Sequence, residues 1–365
     1  MSIQVQTKAQ AISAATLTAF VARLFSAVGV PDTAAATVAS GLVDADIEGL
    51  SSHGVMLIDM YIERLKKGSV SHNETASIVL ERDGAMVLDA GHALGQLTGI
   101  QSMAHAVDKA RTFAAGIVSV RHGFHFGTAG RYAHQAAEAG CIGIAMCNTR
   151  PLMPAPGGAE RVVGNNPIAI ALPTAGKIPV VLDMATSEAA MGKIRMAEKA
   201  KEAIPSTWAV TAKGAPTTSP SEAIAGMLLP SGGPKGFGLS FLIDLMCGLL
   251  SKGATGSAVR PLYGDLSAPY DCSHLFIAID VAHFCDIDWF RQQTASAAER
   301  IRNGQRAPGV QQLFTPGEPE WRRRERSGGQ VSLEPSIIAM LIRVASELGV
   351  TETPFHSPLK EQRHA

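Results

Sequence analysis

The stretch HFGTAGRYAHQAAEAGCIGIAMCNT, residues 125–149, contains both kinds of element that define the fold. GTAGRYAHQAAEAG opens on a glycine turn and predicts a helix, and the apolar CIGIAMCNT after it predicts a strand. The first backbone N–H groups of such a helix are free to hold an anion. The stretch therefore indicates a helix-to-strand unit of an α/β protein, with His125 beside an anion-binding turn.

Helices and strands alternate on both sides of this stretch. Upstream, ASIVLERDGAMVLDA predicts two strands around an Asp-Gly turn, followed by a helix in GIQSMAHAVDKARTFA and a strand in GIVSVRHG. Downstream, NPIAIALPT, IPVVLDMAT and HLFIAIDVAHF predict strands, and GFGLSFLIDLMCGLLSKG predicts a buried apolar helix. Two helices, over 286–303 and 332–348, close the pattern. We therefore expect an α/β (α+β) fold.

The N-terminal 70 residues predict helices only. AISAATLTAFVARLFSAVGV has the apolar run of a signal peptide, but Arg23 interrupts it. Its apolar residues recur at helical spacing, which indicates an amphipathic helix: Leu17, Phe20, Val21, Leu24 and Phe25. Three parts are expected: a helical part over 1–75 packed with C-terminal helices within 286–350, an α/β part over 76–285 that binds cofactor and substrate, and a flexible tail over 351–365.

The composition argues against several classes of protein. Lys plus Arg equals Asp plus Glu at 32 each and aromatic residues are 5%, so we expect no nucleic-acid partner. No apolar run approaches the roughly 18 residues that cross a bilayer, so no membrane partner is expected. The five cysteines include no CxxC pair, which favours reduced core thiols and a cytoplasmic protein. His122 and His125 have no third ligand nearby, so no metal is expected.

Motifs of the common nucleotide and hydrolase sites are missing. There is no GxGxxG at a strand-to-helix turn, no GxxxxGK[ST] and no GxSxG. Instead the chain has several loops dense in glycine, proline and small polar residues, which are HFGTAG (125–130), PAPGGAERVVGNNP (154–167), LDMATSE (182–188), LPSGGPKGFGL (229–239) and TPGEPE (315–320). Each alone is typical of a tight turn. Together they favour loops that converge on one extended, phosphorylated ligand.

Eight motifs carry a resemblance to a known family. In order they are ADIEGLSSHGV, HFGTAGRYA, GNNP, LDMATS, IPSTWA, LLPSGGPKGFGL, HLFIAID and PGE, within residues 15–350. The chain resembles the malate/L-lactate/L-sulfolactate dehydrogenase family, which includes ureidoglycolate dehydrogenase, 2,3-diketo-L-gulonate reductase and Δ1-piperideine-2-carboxylate reductase. The resemblance implies an L-sulfolactate dehydrogenase-like, non-Rossmann nucleotide-binding fold with a helical N-terminal part.

The resemblance also implies roles for individual residues. His53 of the SHG motif would be the proton donor, Ser52 its hydrogen-bonding neighbour, and His125 a residue beside the nicotinamide and the substrate that is the acid/base in some members. The implied cofactor-binding residues are His125, Phe126, Gly127, Thr128, Asp183, Met184, Ala185, Thr186, Ser187, Glu188, Lys235, Gly236, Gly317 and Glu318. Asn165 stands near the substrate, where many members carry a threonine.

Two positions depart from the family pattern. Members commonly read SHGxxR, with an arginine that binds the substrate carboxylate, and here that position is Leu57. Members often read NSxHFG, and here the segment is RHGFHFG. Because a buried anion without a partner is unfavourable, another cation should face a substrate carboxylate. Arg150 is the favoured candidate and Arg121 the alternative.

The resemblance implies an NAD(P)-dependent oxidoreductase. It would transfer hydride between nicotinamide and a small 2-oxo or 2-hydroxy acid, or a cyclic imino acid, with a histidine as proton donor. Two alternatives stay open: a reductase whose substrate lacks the usual carboxylate, and a catalytically silent dinucleotide-binding sensor. NAD and NADP stay open too; the basic run WRRRERSGG could hold a 2′-phosphate, although such a run is more often a solvated helix. Family members imply a homodimer.

Overall fold

The computed structural model describes residues 9–355. Its strands are β1 (Gln10–Ser13), β2 (Ser77–Arg82), β3 (Ala85–Asp89), β4 (Ala115–Gly123), β5 (Cys141–Cys147), β6 (Ile168–Leu172), β7 (Val180–Met184), β8 (Ala209–Val210), β9 (Met227–Leu228), β10 (Cys272–Asp280) and β11 (Gln330–Leu333). Its α-helices are α1 (Ala14–Ser26), α2 (Asp32–Ile47), α3 (Ile58–Lys66), α4 (Gly95–Phe113), α5 (Gly130–Glu138), α6 (Met191–Ala200), α7 (Pro220–Ala225), α8 (Pro234–Ser251), α9 (Ile287–Arg302), α10 (Glu318–Ser327) and α11 (Pro335–Glu347).

A mixed seven-stranded sheet forms the centre of the α/β part. The strand order is β2-β3-β4-β10-β5-β6-β7, in which β3 and β4 are parallel and the other neighbours antiparallel. Helices α4 and α5 pack against the sheet through small residues such as Ala106 and Ala133, which allow a close approach. The strand order differs from that of a doubly wound parallel sheet, and the predicted mixed α/β class is confirmed.

A second core joins helices from both ends of the described chain. It combines apolar residues of α1, α2 and α3 with those of β11 and α11. The five apolar residues predicted to form one face of α1 are all buried, so the amphipathic interpretation is confirmed. Strands β1 and β11 pair antiparallel, with Gln10 opposite Leu333. The buried ring of Phe355 meets Phe20 at 5.6 Å between centroids, so the chain is packed up to that residue; the rest of the expected tail lies outside the described residues.

Helix α8 differs from the prediction of a buried helix. Its inner face, including Ile243 and Cys247, packs on the sheet, whereas Leu242, Leu249 and Leu250 on the outer face are 56%, 62% and 56% exposed. Over residues 9–355 it is also the one helix long and apolar enough to cross a membrane, although the sequence analysis expected none. Its packing on the sheet is that of an element of this fold, with an apolar face left open.

Several elements were not predicted. These are the short pairs β1/β11 and β8/β9 and the helices α6 and α7, all of which lack a long periodic pattern. The prediction of reduced core thiols is confirmed, because all five cysteines are free and Cys141, Cys147, Cys247 and Cys272 are buried.

Candidate functional site

His53 lies in a short 3-10 turn, Ser51–His53, that follows α2. The turn is fixed by Asp46, whose carboxylate accepts a hydrogen bond of 2.8 Å from the backbone N–H of Val55. A Cβ at position 54 would lie 2.2 Å from the Asp46 carboxylate, so only glycine fits there. Burial raises the pKa of Asp46 to about 6, partly offset by the hydrogen bond from Val55. The SHG motif is therefore held by the end of the preceding helix.

His125 follows β4, and its position is set by two helices. The first turn of α4 approaches so closely that a Cβ at Gly95 would lie 2.6 Å from the carbonyl oxygen of His125. From α3, the hydroxyl of Tyr61 lies 2.7 Å from Nδ1 of His125. Gln96, on α4, donates its amide N–H to the Tyr61 oxygen at 3.1 Å. Both predicted histidines thus meet at a junction of the helical part and the sheet.

The rings of His53 and His125 are stacked, with centroids 5.5 Å apart and planes 22° from parallel. The Ser52 hydroxyl lies 3.0 Å from Nδ1 of His53. Burial lowers the pKa of His53 below its ordinary value. Burial, and then the neighbouring His53 and His274, lower the pKa of His125 to about 3. His125 is therefore neutral at physiological pH, and one ring nitrogen of each histidine is held from the protein side.

The predicted cofactor segments 183–188 and 229–236 lie side by side. The N–H of Ser231 donates to the carbonyl of Thr186 at 2.9 Å, and the N–H of Glu188 donates to the carbonyl of Leu229 at 2.8 Å. The backbone of Thr186 also donates to Asn165 at 3.2 Å. The two hydrogen bonds between the segments join residues 45 and 41 positions apart in the chain. They bring the first segment, with Met184, Ala185, Thr186, Ser187 and Glu188, beside the second, with Lys235 and Gly236.

Two side chains predicted to bind cofactor have other partners. The Asp183 carboxylate accepts from the N–H of Gly130 at 2.7 Å, so the first turn of α5 holds a carboxylate of the chain itself rather than a ligand anion. The ring of Phe126 is 2% exposed and lies between Tyr132 and His274, at centroid distances of 5.0 and 4.6 Å. Phe126 is a core residue, and Gly127–Thr128 are the half-buried part of this turn.

Glu318 also has partners within the protein. The resemblance implied that it closes over the dinucleotide with Gly317, but its side chain is fully buried and ion-paired to Arg302 and Arg322. Burial opposes ionisation of this carboxyl, yet the hydrogen bonds from Arg302, Thr315 and Arg322 outweigh it and lower its pKa to about 2. The preceding loop packs on β7, where the N–H of Val181 donates to the carbonyl of Pro316. Glu318 therefore stabilises the loop from behind.

The basic run on α10 is likewise engaged within the protein. Arg323 pairs with Glu320, and Arg324 pairs with Asp44 and Glu48 on α2, each at 2.9 Å. These contacts tie α10 to the helical part. They support the reading of the run as a structural helix face over that of a 2′-phosphate site.

On the substrate side, Arg150 differs from Arg121. Arg121 donates to Asp89 at 2.9 Å and so is committed to an ion pair. Arg150 is partly buried and has no hydrogen bond or ion pair among residues 9–355. Burial, and then the charge of Arg161, lower the pKa of Arg150. Its neighbour Thr149 donates to the side chain of Asn165 at 3.0 Å, which brings both predicted substrate residues together.

Leu57 stands at the position of the family's carboxylate-binding arginine, but it lies in the protein core. Its side chain is 1% exposed and belongs to the core of the helical part. An arginine introduced there would be a buried charge, so position 57 cannot simply be exchanged for the family's residue in this chain.

Within the described part of the chain, no three His, Cys, Asp or Glu side chains are grouped as metal ligands. Sequence reasoning missed Tyr61, Gln96 and Asp46, which hold the two histidines. Tyr61 lies eight residues after His53 in a helical pattern, and nothing in the sequence distinguishes it from a core tyrosine.

Comparison with known proteins finds relatives over most of the chain. The sequence profile described as malate/L-lactate dehydrogenase matches residues 12–341. A malate dehydrogenase of Pyrococcus abyssi is 36% identical over 343 residues, 92% of this chain and 94% of that protein. A ureidoglycolate dehydrogenase (NAD(+)) of Escherichia coli is 38% identical over 288 residues, 78% of this chain and 81% of that protein.

A solved structure shows the same fold. The sulfolactate dehydrogenase of Methanocaldococcus jannaschii superposes with a TM-score of 0.88 at 33% identity, covering 93% of this chain and 98% of that one. The fold and the site thus define an oxidoreductase with a sulfolactate dehydrogenase-like architecture. The chain belongs to the malate/L-lactate dehydrogenase family.

Proposed function

We propose that this protein transfers hydride between NAD(H) or NADP(H) and a small 2-oxo or 2-hydroxy acid, or a cyclic imino acid, with His53 as the proton donor. The observation that carries the proposal is the stacked pair of His53 and His125, each held at Nδ1 from the protein side. Reduction of a C=O or C=N group needs one proton at the heteroatom, and histidine supplies it near neutral pH.

The residues present fit a nicotinamide dinucleotide. The hydroxyl of Thr186 is buried without a hydrogen-bond partner among the described residues. A Cβ at Gly232 or Gly233 would meet no atom within 4 Å, so the loop before α8 borders open space, with Lys235 exposed beside it. Segments 183–188 and 231–236 would hold the dinucleotide. When bound, the nicotinamide supplies or accepts the hydride, and the protein supplies position and the proton.

Arg150 is the cation proposed to bind the substrate carboxylate. It is partly buried and has no hydrogen bond or ion pair among residues 9–355, and Tyr270 near it packs edge-on to Phe124, next to His125. A guanidinium can bind a carboxylate with two parallel hydrogen bonds. Asn165, linked to Thr149, would contact the polar end of the same substrate.

We also propose a cytoplasmic homodimer that covers the open face of α8. The face carries large exposed apolar side chains: Leu239, Phe241, Leu242, Met246, Leu249 and Leu250. Contiguous apolar surface of this kind is typical of interfaces. Light scattering should give about twice the chain mass of 38.2 kDa, and the pair Leu242→Asp and Leu249→Asp should give monomers. Met196→Asp, at an exposed apolar site on α6, is the matched control.

The proposed activity is tested by a turnover assay with a panel of 2-oxo acids, 2-hydroxy acids and cyclic imino acids, with each coenzyme in turn. Coenzyme-dependent turnover of at least one acid is expected. Binding of coenzyme without turnover of any of them would instead indicate a sensor. Ketones and alcohols of similar size that lack a carboxylate complete the panel, and turnover of these alone would contradict the role of Arg150.

A further inference from the structure

The hydroxyl of Tyr61 stands at the centre of a buried hydrogen-bond chain that ends on His125. Tyr61 is 0% exposed and Gln96 is 1% exposed. Gln96 donates to the Tyr61 oxygen at 3.1 Å, and that oxygen lies 2.7 Å from Nδ1 of His125. The Tyr61 oxygen also lies 3.2 Å from the carbonyl oxygen of His125.

The direction of this chain follows from the donors available. A tyrosine hydroxyl has a single proton, and the Gln96 amide nitrogen can only donate, so it uses a lone pair of the Tyr61 oxygen. The proton of Tyr61 then goes to one of two acceptors. Nδ1 is 0.5 Å closer than the carbonyl, and an imidazole nitrogen is a stronger base than a carbonyl oxygen and so a better acceptor for the phenol proton. Nδ1 of His125 is therefore the acceptor, and the ring proton is on Nε2.

The neutral state of His125 also supports a ring that carries its single proton on Nε2. The ring is surrounded by uncharged groups and by two other histidines, His53 and His274, and a cation there would be unfavourable. A neutral imidazole that donates from Nε2 can stabilise the negative charge that develops on a carbonyl oxygen, but it does not readily give up its proton. Burial alone lowers the pKa of His53, whereas two neighbouring histidines lower that of His125 further, so His53 takes up and passes on a proton more readily than His125. Proton transfer is therefore assigned to His53, which has the Ser52 hydroxyl at its Nδ1.

We infer that Tyr61, held by Gln96, is a positioning residue that fixes His125 as a neutral Nε2–H donor to the substrate oxygen, which leaves proton transfer to His53 alone. This division of roles rests on the proposed function of the site. The tautomer itself does not, because it belongs to the protein without ligand and can be observed there.

The test is nitrogen NMR of the protein with 15N-labelled histidine rings, with His125 assigned by comparison with His125→Asn. In the wild type, Nδ1 of His125 should have the shift of an unprotonated ring nitrogen and Nε2 that of a protonated one. The pattern should hold from about pH 5 to pH 8, where free histidine titrates. A protonated Nδ1 in the wild type would overturn the inference and make Tyr61 an acceptor, whatever the activity.

Tyr61→Phe adds a second measurement. Its loss of one hydrogen bond should lower kcat about fivefold to tenfold with little change in KM, and the two nitrogen shifts of His125 should move towards each other as the tautomers mix. Tyr132→Phe is the matched control, because Tyr132 is also buried but bonds the carbonyl of Phe126; its His125 shifts should stay as in wild type. Unchanged His125 shifts in Tyr61→Phe would contradict the positioning role.

The two hypotheses fail in different ways. A wild type with no turnover of any acid but the expected nitrogen shifts would remove the proposed function and keep the tautomer. An active wild type with a protonated Nδ1 would keep the proposed function and remove the role of Tyr61.

Discussion

The two sides of the candidate site are built in different ways. In the histidine region (His53, His125, Tyr61 and Gln96), each histidine has a partner at Nδ1 from within the protein. In the arginine region (Arg150, Thr149 and Asn165), the charged group has no partner among the described residues. Groups that are held in place before the substrate binds favour one chemical step. An unpaired cation instead favours a ligand that carries an anionic group. The comparison suggests that reaction type and substrate choice reside in different regions.

The largest expected effect is the loss of the proton donor from the histidine region. His53→Ala should lower kcat by about 10²–10⁴-fold, the usual contribution of a general acid, with little change in coenzyme affinity. Steady-state kinetics with the best acid from the panel measure it. His283→Ala, a surface histidine paired with Asp280, is the control. If His53→Ala keeps more than about a third of wild-type turnover, the proton comes from another residue, and His125 is the first candidate.

The second prediction concerns the arginine region. Arg150→Ala should raise KM for the best carboxylate substrate about tenfold or more, since a charge-assisted hydrogen bond is worth roughly 1.5–3 kcal/mol. The change in kcat should be smaller than in His53→Ala. Arg121→Ala is the matched control, because Arg121 is engaged by Asp89. Equal values of KM for Arg150→Ala and wild type would contradict the proposed contact.

Acid should lower the free energy of unfolding, because two histidines are buried in the neutral form. Burial lowers the pKa values of His125 and His274 to about 3, against 6.5 in the unfolded chain. The unfolded state therefore binds more protons below pH 6.5. The free energy of unfolding should fall as pH drops from 6.5 towards 3, by up to about 1.4 kcal/mol per pH unit for each histidine.

Urea unfolding at several pH values measures this slope. His274→Phe should make it shallower, because it removes one buried titrating ring, while His283→Ala at the surface should leave it unchanged. A slope that His274→Phe leaves unaltered would show that His274 is not responsible for acid sensitivity.

The smallest expected effect lies outside both regions, at the proposed phosphate contact. Lys235 is exposed, so Lys235→Ala should weaken coenzyme binding only about twofold to fivefold, in keeping with about 0.5–1 kcal/mol for an exposed charge pair. Titration of coenzyme fluorescence measures the dissociation constant at low and at high salt. Lys67→Ala, an exposed lysine at the end of α3 and outside the proposed coenzyme segments, is the control. A dissociation constant that stays at its wild-type value at low salt would remove Lys235 from the coenzyme site.

Much of the α/β part was predictable because its patterns are local. The strand-to-helix alternation in 76–147 and the apolar face of α1 need only neighbouring residues. The SHG and HFG motifs were found as motifs, but their meeting as a stacked pair depends on packing between α3, α4 and β4. No local pattern carries that information.

The features that the sequence did not show have a common physical cause. Phe126 and Glu318 belong to motifs that mark a ligand site, yet each is engaged by partners distant in the chain, such as His274 and Arg302. Helix α8 was expected to be buried because it is apolar nearly all round, but burial depends on what covers its outer face. A sequence pattern indicates which secondary structure a segment prefers, whereas the tertiary structure decides which residues its side chains contact.

The helical core can form only after the C-terminal part of the chain has been synthesised. Its first helices, α1 to α3, pack against β11 and α11, whose residues are synthesised more than 250 positions later. At about 5–20 residues per second, translation leaves the apolar faces of α1 and α2 without their partners for roughly 10–60 s. The α/β sheet can form during this interval, but the helical core cannot close until residues 331–345 leave the ribosome. Until then, the exposed apolar faces of the N-terminal helices must be kept from aggregating in the cell. Holdase chaperones are suited to that task.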